Sequence, residues 1–356
     1  MKSRLDIIKP AVRGLRAYSL SPHRARVKLN QNENPWDTPL AIRDEILERF
    51  EAAKWSRYPD FIPATLHERL AEFAGLRPDH IIAGNGSNEL IQAVMMVTIG
   101  PGKRVLICEP TFALYKQVAT VLGGTVESMS LTSSLQYNSS LLLDVVEERQ
   151  PDVTIICSPN NPSGCVIDDQ DLIKLLNIAR GLVIIDEAYH EFAEHSVVPL
   201  LEEHENLIVL RTFSKAMALA GLRVGYLLAE PDVVREIRKA VLPYNLNALS
   251  QIGAEVAIER YESDLRPLVQ RILAERERLF AGLSEIKGLT PVPSRGNFML
   301  VKSDKDPTQI FAELLQRDIL VRDVSGYPML RDYFRVSVGR PDENDRLLKE
   351  LRSICQ

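Results

Sequence analysis

Lys215 sits just past the apolar, strand-like run Leu207-Ile208-Val209-Leu210, within Arg211-Thr212-Phe213-Ser214-Lys215-Ala216-Met217. Flanked by hydroxyls, it can lie at the mouth of a sheet. The commoner fate of a single lysine is a solvated surface position. Its amine can also condense with a carbonyl to give a Schiff base. A site built on that chemistry needs companions, and the chain offers several strand-end motifs.

Gly84-Asn85-Gly86-Ser87 follows the strand-like Ile81-Ile82-Ala83 and opens a helix. Glycines there let backbone N–H groups approach an anion, aided by the positive helix N-terminus. A plain tight turn with Ser87 capping the helix accounts for the pattern equally well. It is not the dinucleotide fingerprint, because Glu89 stands where the third glycine belongs. Ser158-Pro159-Asn160-Asn161-Pro162-Ser163-Gly164 reads as consecutive turns at another strand end, a plain loop or one that aims an amide at a ligand. Asp186 closes the apolar run before Glu187-Ala188-Tyr189. A carboxylate there is costly unless paired or solvated. It caps the next segment or faces a cationic ring nitrogen. Pyridoxal 5′-phosphate (PLP) is the major cofactor held by a lysine Schiff base. It requires a phosphate cradle, an acid for its ring nitrogen and donors for its ring oxygen, and these segments can supply all three.

The intervening sequence has elements to position them. Val105-Leu106-Ile107-Cys108, Val153 to Cys157, Leu182 to Ile185 and Leu207 to Leu210 are nearly all apolar, as strands buried on both faces should be. Helical periodicity marks Pro39 to Lys54, Ser87 to Ile99 and Asp169 to Ala179. Alternation of this kind predicts an α/β domain with a mostly parallel sheet and a ligand site at the carboxyl ends of its strands. After Ser250 come a long helix interrupted near Pro267, strands at Asn297 to Val301 and Phe334 to Val338, and helices at Pro307 to Arg317 and Glu343 to Ser353. That texture predicts a smaller α+β domain. The expected division is an N-terminal arm over 1–32, a large domain over 33–249 and a small domain over 250–356.

The 356 residues carry 26% charged side chains and a net charge of −5, with no basic block. This argues against nucleic acid as a partner. No apolar run is long enough to span a bilayer, and Met1 to Asp6 has no signal-peptide character. Four cysteines without CxxC spacing fit a reducing cytoplasm. Scattered histidines, with no HExxH, predict no metal site.

Taken in order, the motifs from Gly84 to Arg335 resemble fold-type I PLP-dependent transferases of the aspartate aminotransferase superfamily. Lys28-Leu29-Asn30-Gln31-Asn32-Glu33-Asn34-Pro35, Arg57-Tyr58-Pro59-Asp60 and Phe334-Arg335-Val336-Ser337-Val338-Gly339 resemble the histidinol-phosphate aminotransferases among them. The resemblance covers nearly the whole chain. It implies that Lys215 bonds PLP, Asp186 faces the pyridine nitrogen, and Asn161 and Tyr189 contact the ring oxygen. Tyr115 would stack on the ring, and Gly86, Ser87, Thr212, Ser214 and Arg223 would surround the phosphate. Tyr58 would reach that phosphate from the second subunit of a homodimer with composite sites. Arg335 would hold the substrate's acidic group, with Arg322, Asn34 and Tyr18 nearby. The implied reaction moves an amino group between L-histidinol phosphate and 2-oxoglutarate. An aromatic amino-acid aminotransferase would share every cofactor residue, and a decarboxylase of phosphorylated amino acids is similar in sequence. A non-enzymatic binding module would have no use for the Lys215, Asp186 and Asn161 set. Two departures from the common pattern bear on substrate. Trp36-Asp37-Thr38-Pro39 follows Asn34-Pro35, and Asn88 stands where Asp is common.

Overall fold

The apolar runs that read as doubly buried strands form the middle of a seven-stranded sheet. A computed structural model of the chain describes residues 4–15, 17 and 23–356. In chain order its strands are β1 (Val27–Lys28), β2 (Ile81–Gly84), β3 (Arg104–Glu109), β4 (Thr125–Ser130), β5 (Val153–Cys157), β6 (Leu182–Asp186), β7 (Leu207–Thr212) and β8 (Gly225–Ala229). They continue with β9 (Leu289–Pro291), β10 (Phe298–Ser303), β11 (Ile319–Leu320), β12 (Arg322–Asp323) and β13 (Tyr333–Ser337). The large sheet has the order β2-β8-β7-β6-β5-β3-β4. Its strands are parallel except β8, which runs antiparallel to both β7 and β2. Alternate residues enter two separate cores. Leu106, Ile156, Ile185 and Val209 face one layer of helices, while Ile107, Ile155, Ile184 and Ile208 face the other. Both faces are covered, as near-continuous apolar strands require.

Helices fall where periodicity placed them, at Leu40–Glu51, Ser87–Thr98 and Asp169–Ile178. The Asp168 carboxylate starts the third by accepting from the N–H groups of Gln170 and Asp171. Strand β4 has no apolar run to announce it. It lies at the sheet edge, where Thr125, Glu127 and Ser128 need not be buried.

The C-terminal part holds an antiparallel sheet of order β12-β13-β10-β9. Two features differ from the expected division. Strand β1 pairs in parallel with β11, Val27 opposite Ile319, and Val27 and Leu29 enter the C-terminal core. The end of the expected arm is thus a structural part of that core. The helix Ala248–Glu259 contributes Ala254, Val256 and Ala257 to the core of Ile42, Ile46 and Leu66. The change of texture at Ser250 therefore falls inside the first core. The helical break is a π turn at Tyr261–Leu265, and Pro267 opens the next helix, Arg266–Ser284, at a position where a missing N–H costs nothing. Among the described residues no helix is long and apolar enough to cross a membrane.

Candidate active site

Gly84 ends β2, Cys157 ends β5, Asp186 ends β6 and Thr212 ends β7, all at the carboxyl edge of the parallel strands. A cavity of about 360 Å³ opens there, between the large sheet and residues of the C-terminal part. Ser87, Tyr115, Asn161, Asp186, Tyr189, Thr212, Ser214, Lys215, Arg223, Arg322 and Arg335 all line it.

The ends of β6 and β7 are tied behind this cavity by a buried ion pair. Arg211 Nε donates to Glu187 Oε2 at 2.9 Å, and the Val197 N–H and Ser196 hydroxyl also donate to that carboxylate. Neither partner stands out along the chain, because each looks like an ordinary surface charge.

Lys215 Nζ donates to the Gln31 carbonyl at 2.9 Å and lies 5.8 Å from the Tyr189 ring centre. Burial, and then the nearby Arg335 guanidinium, lower its pKa to about 8. The amine is therefore a nucleophile near neutral pH. Asp186 is 3% exposed. Its Oδ1 accepts from the Ala188 N–H at 3.0 Å and its Oδ2 from the Tyr115 hydroxyl at 2.6 Å. Burial nevertheless raises its pKa, so a cation beside it would be stabilising.

One side of the cavity is a nest of donors. Thr212 Oγ1 and Arg223 Nη1 each bond to Ser214 Oγ, at 3.1 and 3.0 Å. Among the described residues, the hydrogen-bond partners of Arg223 are the neutral oxygens of Ser214 and Ala220. Gly86 has φ +78°, and a Cβ there would stand 2.4 Å from Arg223 Nη2. Glycine is thus required both for the turn and for the close approach of the arginine. A guanidinium, three hydroxyls and a helix N-terminus converging on one end of a cavity match a phosphate. With Lys215 and a buried carboxylate further along, the donor set fits PLP.

On the opposite side Arg335 donates to Asn161 Oδ1 and to the Asn30 carbonyl, the latter at 2.8 Å. This leaves Asn161 Nδ2 as the end of the amide that can face a ligand. Arg322 lies opposite Arg335 in the β12–β13 ladder.

Two assignments change. Tyr115 is fully buried and its hydroxyl is held by Asp186, so it steadies the carboxylate, and Phe112, edge-on to Tyr115, is a second ring on the cavity wall. Asn34 is not on this cavity. Its Nδ2 donates to the distant Ala216 carbonyl, next to Lys215, and its Oδ1 accepts the Trp36 N–H in the local turn, so both ends are engaged. Asn30, Gln31 and Asn32 of the same segment line the cavity instead. Asn88 and Tyr327 do so too. Asn88 is visible in the sequence as a departure, whereas no motif marks Tyr327. Tyr18 lies outside the described residues. Tyr58 is 81% exposed, stacked on Tyr244 at 4.5 Å.

A parallel-sheet α/β fold with a lysine, a buried aspartate and an anion nest at its strand ends defines a cofactor-dependent transferase. Residues 24–351 match the family model of aminotransferase class I and II, and the chain belongs to that family. It is 39% identical to a histidinol-phosphate aminotransferase of Chlorobium phaeobacteroides, over 98% of this chain and 97% of the relative. It is 37% identical to that of Thermoanaerobacter pseudethanolicus, over 98% and 99%. The crystal structure of histidinol-phosphate aminotransferase from Sinorhizobium meliloti in complex with pyridoxal-5′-phosphate superposes with a TM-score of 0.88. It covers 99% of both chains at 23% identity, which attests the fold.

Proposed function

We propose that this chain is a PLP-dependent histidinol-phosphate aminotransferase. It interconverts L-histidinol phosphate and 2-oxoglutarate with imidazole-acetol phosphate and L-glutamate. The observation that carries this reading is that Lys215, Asp186 and the donor nest share one cavity with Arg335. PLP supplies an aldehyde that accepts an amine, and a ring that spreads the electron pair left when the Cα–H bond breaks. Ser87, Thr212, Ser214 and Arg223 would bind its phosphate. Asp186 would hold the proton on its ring nitrogen, a cation that would offset the burial of the carboxylate. Lys215 would hold the aldehyde carbon and, as an amine whose pKa is lowered to about 8, would be the base able to take the proton from Cα.

Arg335 and Arg322 bind the substrate's anion. The planar guanidinium pairs bidentately with either phosphate or carboxylate, so one anchor serves histidinol phosphate and glutamate. Loaded enzyme mixed with L-histidinol phosphate alone should release one equivalent of imidazole-acetol phosphate per site. Release of product from tyrosine or phenylalanine at equal efficiency would make it an aromatic aminotransferase, and release of CO2 a decarboxylase. Arg335→Ala should weaken histidinol phosphate and glutamate alike. Loss of a charge-assisted bond worth about 1.5–3 kcal/mol predicts a fall of roughly 10- to 100-fold in kcat/KM for each. A loss confined to one substrate sinks the shared anchor.

The working unit in this reading is a homodimer. Among the described residues lining the cavity, Tyr58 of the same chain does not figure. Trp55, Tyr58, Phe61 and Leu242 are each at least 60% exposed. Tyr58 and Phe61 both pack on Tyr244, and Phe61 shares a groove with Leu242; exposed apolar surface of this kind marks an interface. A second copy covering it would bring Tyr58 to the neighbouring phosphate nest. Mixing Lys215→Ala chains with Tyr58→Ala chains, each impaired alone, should restore activity, because one site of a mixed dimer combines both intact residues. No recovery would place Tyr58 in its own subunit's chemistry or outside it. Free cysteines at Cys108, Cys157, Cys165 and Cys355 favour the reducing cytoplasm as its location.

A further inference from the structure

Tyr189 is 4% exposed, and among the described residues its hydroxyl has one hydrogen-bond partner, the Asn32 amide Nδ2 at 3.1 Å. Which of the two donates follows from the bonds around Asn32. Its backbone N–H donates to Ser337 Oγ at 2.8 Å. That hydroxyl oxygen could accept a second time, but among the described residues the only acceptor for its single proton is Asn32 Oδ1 at 3.1 Å. The amide oxygen must face Ser337 and the NH2 group must face Tyr189. Asn297 fixes the backbone by donating from Nδ2 to the Asn32 carbonyl at 3.0 Å. Asn32, Ser337 and Asn297 are at most 3% exposed, so water does not compete. Asn32 also has φ 54°, a left-handed conformation that asparagine tolerates better than bulkier residues. An amide NH2 can only donate, so the Tyr189 oxygen accepts from Asn32 and its own proton is left for another acceptor.

We propose that Asn32 is a positioning residue that makes the Tyr189 hydroxyl a hydrogen-bond donor into the active cavity, toward a negatively charged oxygen of the bound ring. This rests on the reading that the cavity holds PLP. Burial keeps the Tyr189 phenol protonated, well above its ordinary range, as a donor must be. Ser337 lies two residues beyond Arg335 on β13 and so on the same face of that strand. The strand that carries the substrate's anion anchor thereby also sets the polarity of Tyr189.

The test is the pH midpoint of the visible absorbance of PLP bound to the enzyme. A donor to an anionic ring oxygen favours the deprotonated chromophore, and its loss raises the midpoint. Asn32→Asp replaces the NH2 by an acceptor that captures the Tyr189 proton. The midpoint should rise by about one pH unit, the size expected for one lost bond to a charged oxygen. An added carboxylate also acts through space, so the same change is made in a Tyr189→Phe background, where its effect should be less than half as large. Ser337→Ala frees the amide to flip and should raise the midpoint in the same direction, which carries the test if Asn32→Asp does not fold. An unmoved midpoint in both variants, or an equal rise with and without the Tyr189 hydroxyl, overturns the inference. Failure of the wild-type protein to take up PLP at all would instead defeat the reading of the cavity.

Discussion

Lys215→Ala is expected to abolish turnover, lowering kcat by at least ~10²–10⁴-fold, the usual contribution of a positioned acid–base group. The loss should be larger than that, because in the proposed function the same amine would also bond the cofactor. The phosphate nest does not depend on Lys215, since its members bond among themselves through Ser214 and Arg223. The variant should therefore still take up PLP, without a covalent link. Borohydride treatment should fix the cofactor to Lys215 in the wild type and to no residue in the variant. The rate of covalent attachment to cofactor-free enzyme should follow the free-amine fraction. With a pKa of about 8 in place of the ordinary lysine value, the rate should rise roughly tenfold per pH unit below that point and level off above it. Labelling of another lysine, or a variant that retains turnover, would remove Lys215 from both roles.

The strand ends of the large sheet were legible in the sequence because burial on both faces leaves a plain signal. Val153–Cys157 and Leu182–Asp186 are runs of apolar residues bounded by turns. The chemistry collected at those ends was legible for a related reason. Charged or hydroxyl residues stand out where an apolar run stops, as Asp186, Thr212 and Lys215 do. What escaped was set by pairing across long sequence distances. Strand β1 has two residues and becomes a strand only by meeting β11, almost 300 positions later. Asn34 and Asn32 look alike in Asn30-Gln31-Asn32-Glu33-Asn34. The left-handed backbone at Asn32 and the Ala216 carbonyl beside Asn34 decide which of them faces the cavity. Tyr115 and Phe112 pose the same problem, one in the first turn of the helix Leu114–Leu122 and the other just before it. A tyrosine is the obvious partner for a ring, but the buried carboxylate competes for its hydroxyl and wins.

That competition sharpens what replacing the carboxylate should do. Asp186 receives two donors, the Ala188 N–H on Oδ1 and the Tyr115 hydroxyl on Oδ2. Asparagine has one acceptor oxygen, so Asp186→Asn leaves one of these donors facing an NH2 group inside the core. The tyrosine hydroxyl can rotate and accept instead, whereas the Ala188 N–H cannot. The amide oxygen should stay with Ala188, and the NH2 should turn toward Tyr115. The charge is lost in either arrangement, and with it, in the proposed reading, the group that would keep the ring nitrogen protonated. Removing a preorganised electrostatic partner of this kind costs roughly 10²–10³-fold in kcat. Proton abstraction at Cα should slow by that amount in a single turnover and become rate-limiting, with a primary isotope effect on Cα-deuterated substrate. The melting temperature should move little, because Asp186 is itself strained by burial in the cofactor-free protein. Tyr115→Phe separates the two contributions. It removes a donor but keeps the charge, so it should slow the reaction by clearly less than Asp186→Asn while shifting the absorbance of the bound cofactor. Near-normal turnover in Asp186→Asn with an unaltered cofactor spectrum would show that the carboxylate serves the fold alone. Equal losses in the two variants would mean that the orientation supplied by Tyr115, and not the charge it holds in place, limits the rate.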